Sequence, residues 1–256
     1  MGITLWEPRQ PLAMARPASP TVEPTVEPMP EVPATPAEAA PQAASPPRET
    51  ELVSGEPEPA AAAADAVATL DWAPLREQVA TCTRCDELVA NRTQTVFGVG
   101  NPQAEWLVVG EAPGAEEDKR GEPFVGRAGK LLDAMLSAIS LDRGSVYIAN
   151  ILKCRPPNNR DPKPEEARNC RPYLERQIAL VAPKLILVVG RIAAQNLLQT
   201  DTPIGKLRGQ VHTLPGSEIP VVVTYHPAYL LRSPAEKRKA WDDLKLACQV
   251  MASRSS

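Results

Sequence analysis

Four short apolar runs constrain this chain most: Trp106–Val109, Val146–Ile151, Leu185–Val189 and Val221–Tyr225. All are rich in strand-forming residues, and the third and fourth are nearly unbroken Val, Ile and Leu. A strand covered on one face alternates apolar with polar residues, whereas a continuous run suits a strand covered on both faces of a parallel sheet. Helical patterns separate the runs. Leu131, Leu132, Met135, Leu136 and Ile139 share one face. A second helix is expected over 164–181, with Pro172 breaking or restarting it. A third covers Ile192–Leu198. The last runs from Pro234 to Met251, with Ser233, Pro234 and Glu236 at N-cap, N1 and N3. Trp241, Leu244, Cys248 and Met251 share a face of that helix, which makes Cys248 a core residue. Alternating strands and helices predict an α/β fold, a three-layer α/β/α sandwich around a central parallel sheet of about four strands. Ligands of such sheets bind beyond the carboxyl ends of the strands. The polar segments 110–114, 150–160, 190–191 and 226–232 all fall there.

The sandwich accounts for residues 71–256 only. Residues 1–70 hold 14 of the 29 prolines together with 16 alanines, and Trp6 is their one aromatic. Such a segment cannot bury enough apolar surface to offset its ordering entropy, so a disordered Pro/Ala/Glu-rich tail is expected, with a transient helix over Ala60–Ala68. The tail carries a net −7 and the remainder +4, from 25 basic and 21 acidic residues. A mildly basic domain with an acidic tail suits a polyanion partner. No run approaches the roughly 18 apolar residues of a membrane helix, and no basic flank precedes an apolar core as in a secretory signal. A cytoplasmic location is expected.

Cysteines add a second constraint. Cys82 and Cys85 form a CxxC pair, Cys154 ends the second apolar run, and Cys170 follows in the second helix. Four thiolates are the usual shell for zinc or an iron–sulfur cluster, and spacing does not choose between them. Both downstream cysteines precede Arg-Pro, which places positive charge near the thiolates.

Two loops carry candidate chemistry. Gly110-Glu111-Ala112-Pro113-Gly114 follows the first strand and leads through Glu117 to Gly121-Glu122-Pro123-Phe124-Val125-Gly126. Its glycines allow close approach of backbone to a ligand, but it lacks the Lys-Ser/Thr ending of a nucleotide-hydrolysing P-loop. His226-Pro227-Ala228-Tyr229-Leu230-Leu231-Arg232 follows the fourth strand and reads as a projecting loop.

Together GEAPG, GEPFVGRAG, Asn150, the four cysteines and HPAYLLR resemble the family 4 uracil-DNA glycosylases, the iron–sulfur branch of that superfamily, over about residues 73–250. The resemblance implies a base-excision enzyme that flips uracil from DNA, single- or double-stranded, and hydrolyses its glycosidic bond. It implies a structural [4Fe-4S] cluster on Cys82, Cys85, Cys154 and Cys170, with zinc the lesser alternative. Phe124 then matches the aromatic that stacks on uracil. Asn150 matches its reader, and His226 the donor to uracil O2. Glu111 matches the acidic residue that orients water or stabilises the cationic sugar, with Asn158 and Asn159 as further water-positioning candidates. Gly110 and Ala112 line the base, and Glu117 is the candidate that excludes thymine. Leu230 and Leu231 would wedge the duplex, and Arg232, Arg160, Arg155, Lys206 and Arg208 would contact phosphates. A covalent uracil-trapping branch carries Gln in the first motif and a His-bearing basic loop, where this chain has Ala112 and only His212 and His226. Two other readings stand beside the enzyme: a non-catalytic iron–sulfur module that binds uracil-containing or single-stranded DNA, and a redox protein. A monomer associated with the nucleoid is expected, with Trp6 and Gln10–Met14 of the tail as contacts for a repair or replication partner.

Overall fold

A computed structural model describes residues 66–254. The tail expected over 1–70, with Trp6 and Gln10–Met14, lies outside them except for its last five residues. These five pack: Val67 is fully buried with Leu75, Val79, Phe97 and Tyr173, and Leu70 lies against the same cluster. The packed part therefore begins before residue 71. Residues 66–68 are helical, and the rest of the helix expected over Ala60–Ala68 falls outside the described residues.

Helices α1 (Trp72–Ala80) and α2 (Asp86–Asn91) precede a sheet of strands β1 (Val99–Gly100), β2 (Trp106–Gly110), β3 (Val146–Asn150), β4 (Leu185–Val189), β5 (Val211–Thr213) and β6 (Pro220–Thr224). Their order is β1-β3-β2-β4-β6-β5. The four long strands are the four apolar runs, parallel and buried at every position. Side chains alternate between the two faces. One face meets α5 (Pro164–Val181), α6 (Arg191–Leu198) and α7 (Ile204–Leu207) through Leu107, Val109, Ile186, Val188, Val221 and Val223. The other meets α4 (Arg127–Ser137), α8 (Pro227–Arg232) and α9 (Lys237–Arg254) through Val108, Ile148, Leu187 and Val222. Helix α3 (Ala115–Arg120) and a 3-10 turn at Pro157–Asn159 lie in the connections.

Four expectations need correction. The sheet has six strands rather than four, because β1 and β5 add antiparallel edges. β1 is two residues long and β5 has an exposed, half-buried, exposed pattern, so neither carries an apolar run. Pro172 does not break its helix: α5 runs unbroken from Pro164 to Val181. Burial of Cys170, Tyr173, Leu174, Gln177 and Ile178 on either side outweighs the lost bond, since packing supplies most helical stability. The Ser233 cap does not form either. Its side chain makes no capping bond, and Pro234–Glu236 is a 3-10 turn ahead of α9. Glu236 instead pairs with Lys239 at 2.8 Å. Finally, α9 faces inward through Ala240, Leu244, Ala247 and Met251, which leaves Trp241 41% exposed and Cys248 half-buried. The two alanines let the helix lie close to the sheet, and this rotates the tryptophan outward.

Candidate active site

Register places the ends of the parallel strands together. Gly110 at the end of β2 is level with Asn150 at the end of β3. Val189 at the end of β4 is level with Thr224 at the end of β6. His226 stands two residues beyond β6 and opens α8, which shows that its segment is a helix rather than a loop. A Cβ at Gly110 would lie 2.5 Å from Asn150 Oδ1 and 2.6 Å from Phe124 Cζ, so only glycine leaves room there. The Phe124 and His226 rings lie 5.7 Å apart at an interplanar angle of 31°. Gly190, at φ +103°, brings β4 against His226, and a Cβ there would stand 3.1 Å from His226 Cβ. Gly110, Phe124, Asn150 and His226 thus gather into one cluster at the carboxyl ends of the strands.

Its polar groups have defined states. Asn150 is 2% exposed and its Oδ1 has no hydrogen-bond partner. A buried amide oxygen without a partner costs free energy. Burial, helped by Arg232, lowers the His226 pKa to about 4. The ring is therefore neutral at pH 7. Its Nδ1 accepts from Ala228 N at 3.1 Å, which assigns the proton to Nε2. Burial raises Glu111, at the start of the loop after β2, to about 7; Asp161 adds to this and Arg191 opposes it.

The pocket aromatic is held in an unusual backbone state. Phe124 has φ 56°, a left-handed conformation that costs a bulky residue on the order of 1–3 kcal/mol. Arg143 offsets the strain. It donates to Pro123 O at 2.6 Å and Phe124 O at 3.1 Å, and is itself held by Asp133 at 3.0 Å. Gly129 in α4 lies under the Phe124 carbonyl, where a Cβ would collide. Arg143 was not singled out from sequence, and Gly129 entered only as the last glycine of GEPFVGRAG, with no role given to it. A glycine inside an otherwise good helix pattern was the signal that could have given it one.

Other predicted site residues take different places. Glu117 accepts from Val125 N and Gly126 N at 3.0 and 3.1 Å, fastening the Phe124 loop to α3. Ala112 packs with Leu88, Leu152 and the cysteines, so its side chain faces away from the base pocket. Leu230 is 1% exposed and belongs to the core, because the helical turn of α8 points it at the sheet; Leu231 is 37% exposed and free. Arg160 is not an available phosphate contact. It grips buried Glu166 through both guanidinium nitrogens, at 2.9 and 2.5 Å, and reaches Glu87 at 3.1 Å. Arg208 is likewise paired, with buried Asp243. Arg155 donates to Asn159 at 2.8 Å.

None of Cys82, Cys85, Cys154 and Cys170 is in a disulfide. Cys154 and Cys170 are buried with Leu88 and Leu152, and Cys85 packs against them. Arg92 donates to Cys154 Sγ at 2.9 Å and to Cys82 O at 2.8 Å, and Asn169 donates to Cys85 Sγ at 3.4 Å. Burial raises the thiols of Cys85 and Cys154, and pushes Cys170 up to about 12. Among the described residues no three His, Cys, Asp or Glu side chains converge as ligands of a single ion. Beside the cysteines, Lys153 is 1% exposed. Its Nζ donates to Asn150 O at 2.8 Å and to Gln177 Oε1 at 2.6 Å.

Comparisons with known proteins give the family. Residues 97–245 match the uracil DNA glycosylase superfamily. A type-4 uracil-DNA glycosylase of Archaeoglobus fulgidus is 47% identical over 174 residues, covering 66% of this chain and 87% of the relative. Those of Sulfurisphaera tokodaii and Thermotoga maritima are both 43% identical, covering 67% of this chain and 80% and 90% of the relatives. The chain belongs to the uracil DNA glycosylase superfamily, among its type-4 members.

Proposed function

We propose that this chain is a uracil-DNA glycosylase: it takes uracil out of the DNA stack, hydrolyses its N-glycosidic bond and leaves an abasic site that starts base-excision repair. The unpartnered Asn150 Oδ1 carries the reading. Uracil offers a donor at N3 and an acceptor at O4. An Asn amide matches both, accepting through Oδ1 and donating through Nδ2. Cytosine reverses the pattern and leaves a buried amide mispaired, which a site of this kind rejects strongly. Phe124 supplies a face for the base to stack on. His226 donates from Nε2 to O2. As the bond breaks, negative charge grows on the departing uracil, so this donor binds the transition state more tightly than the ground state. Glu111, poised near neutrality, orients the water that attacks the sugar. Glu117 closes the pocket beside the base by holding the Phe124 loop, and this bears on the exclusion of thymine.

Cys82, Cys85, Cys154 and Cys170 would hold a [4Fe-4S] cluster. A cubane spreads its thiolates over four irons, so they need not converge on one point as they must for zinc. The cluster would supply a structural tie between distant segments. The DNA partner contains uracil, and Leu231 and Arg232 are the exposed contacts on α8. Among the described residues no helix is long and apolar enough to cross a membrane. We assign the protein to the cytoplasm, with the nucleoid and as a monomer.

The test is base release from a labelled oligonucleotide with one uracil, followed by alkali to cut abasic sites, beside thymine and cytosine controls. Cleavage at uracil alone, lost in Asn150→Ala and His226→Ala, supports the reading. Chain that keeps its iron and binds uracil DNA without cleaving it replaces the enzyme with a binding module.

A further inference from the structure

Lys153 has a placement that its charge does not explain. Its side chain is among the largest fully buried ones, yet ammonium groups are rarely buried unless paired. Among the described residues no carboxylate meets it. Its two side-chain bonds run to a main-chain carbonyl, Asn150 O, and to a neutral amide, Gln177 Oε1. Gln177 is 0% exposed and lies on α5, seven residues after Cys170. Its Nε2 donates onward to Phe97 O at 2.9 Å and Tyr147 Oη at 3.3 Å. Phe97 immediately precedes Gly98, ahead of edge strand β1, and Tyr147 belongs to β3. One residue therefore holds the carbonyl of Asn150 on one side and meets the cysteine-bearing helix on the other.

We propose that Lys153 and Gln177 act as a positioning strut, which fixes the main chain at Asn150 so that its amide presents Oδ1 and Nδ2 at a set depth in the pocket. Asn150 is the last residue of β3; beyond it Ile151 N and Leu152 N still donate to Gly110 O and Glu111 O, at 2.9 and 3.0 Å, before the chain turns toward Cys154. To these main-chain bonds Lys153 adds a side-chain anchor on the Asn150 carbonyl itself. The strut supplies it from α5, so helix position and base recognition are coupled through two hydrogen bonds. Displacing a reading group by about 1 Å costs on the order of a hundredfold in rate.

The inference rests on Asn150 reading uracil, and a double-mutant cycle tests the two separately. Lys153→Met keeps the length of the side chain and removes its donors. Gln177→Met leaves the Lys153 bond to Asn150 intact and frees it from α5, so it serves as the milder variant. Each is made in the wild-type and Asn150→Ala backgrounds. Excision kcat/KM is read together with visible absorption, iron content, Tm and affinity for an oligonucleotide carrying non-cleavable 2′-fluoro-deoxyuridine. The expected result is a loss of about tenfold to a hundredfold for Lys153→Met, weaker binding of the uracil analogue, and iron retained. That loss vanishes in the Asn150→Ala background. Equal losses in both backgrounds mean a merely structural lysine and overturn the strut, as does no loss in either. If Lys153→Met does not fold, Gln177→Met decides: an unchanged kcat/KM and analogue affinity overturns the strut. Wild-type chain that releases no uracil overturns the functional reading instead.

Discussion

The base pocket and the cysteine pocket meet along one stretch of chain, Asn150 to Cys154, yet they are built in opposite ways. The base pocket hangs on the sheet. Gly110, Asn150 and His226 sit at or just beyond strand ends whose register is fixed by burial on both faces. The cysteine pocket draws on segments far apart in sequence. Side-chain bonds from Arg92 and Asn169 hold it, together with the Arg160–Glu166–Glu87–Lys163 cluster at its margin. A site placed by the sheet can be emptied of side chains without moving the fold. A site that ties loops together cannot. Substitutions in the first should cost chemistry, and in the second stability.

The largest effect falls on chemistry alone. Removing a donor aimed at developing charge costs about 10²–10³ in kcat, and His226→Ala should lose that much with Tm nearly unchanged. A large fall in Tm would erase the contrast between the pockets. Cys170→Ser should behave oppositely. Metal-binding energy is folding energy, so lost iron should lower Tm on the order of 10 °C, and activity should fall only as far as folded chain is lost. Full-length folded protein with normal Tm and no iron would show that the cysteine pocket is not a tie.

Gly129→Ala sharpens the comparison from the supporting layer. Inside an ordinary helix this change stabilises by about 1 kcal/mol. Here the new Cβ collides with the Phe124 carbonyl and pushes the ring from the pocket. The expected outcome is roughly a tenfold loss of excision, with weaker binding of uracil DNA. A more stable, fully active variant would show that Phe124 can relax.

The pH profile gives a smaller effect. Burial raises Glu111 to about 7, so its carboxyl is protonated below that pH and ionised above it. If the carboxylate orients water, kcat/KM rises toward pH 7, up to about tenfold per unit on the acid limb, and is flat above. His226, lowered to about 4, stays neutral throughout and adds no falling limb. Glu111→Gln should flatten the rise. A rise that persists in Glu111→Gln assigns it to another group.

Much of this contrast was legible in the sequence, and the remainder has identifiable causes. Strands buried on both faces announce themselves as unbroken apolar runs, so the parallel core and its polar ends followed directly. The cysteines suggested a set, and the structure buries Cys154 and Cys170 with Cys85 against them, while Cys82 lies beside the Val67–Tyr173 cluster. The edge strands were not, because two or three residues of Val-Gly or Val-His-Thr carry no periodicity. Pro172 misled because local preference lost to packing. Arg143, Lys153 and Gln177 act through main-chain carbonyls, and no pattern of residue types records which carbonyl a long side chain will reach. Arg160 looked like a phosphate contact because sequence shows a charge and not its partner, here Glu166.

The adjacent leucines of α8 bring the same contrast down to a single peptide bond. Leu230 is buried against the sheet, and Leu231 is exposed beside Arg232. Leu230→Ala should act like any core truncation, costing about 2–5 kcal/mol of stability and lowering excision from single strands and duplexes alike. Leu231→Ala should leave Tm unchanged. An apolar side chain that enters the gap left by a flipped base helps only where there is a stack to fill. The expected loss is therefore confined to duplex substrate, about tenfold or less, the unstacking of one step being a few kcal/mol in total. Equal losses on single strands would mean that Leu231 shapes the pocket and does not wedge the duplex. Excision unchanged on both substrates would move the wedge off α8 altogether, because Leu230 is already committed to the core.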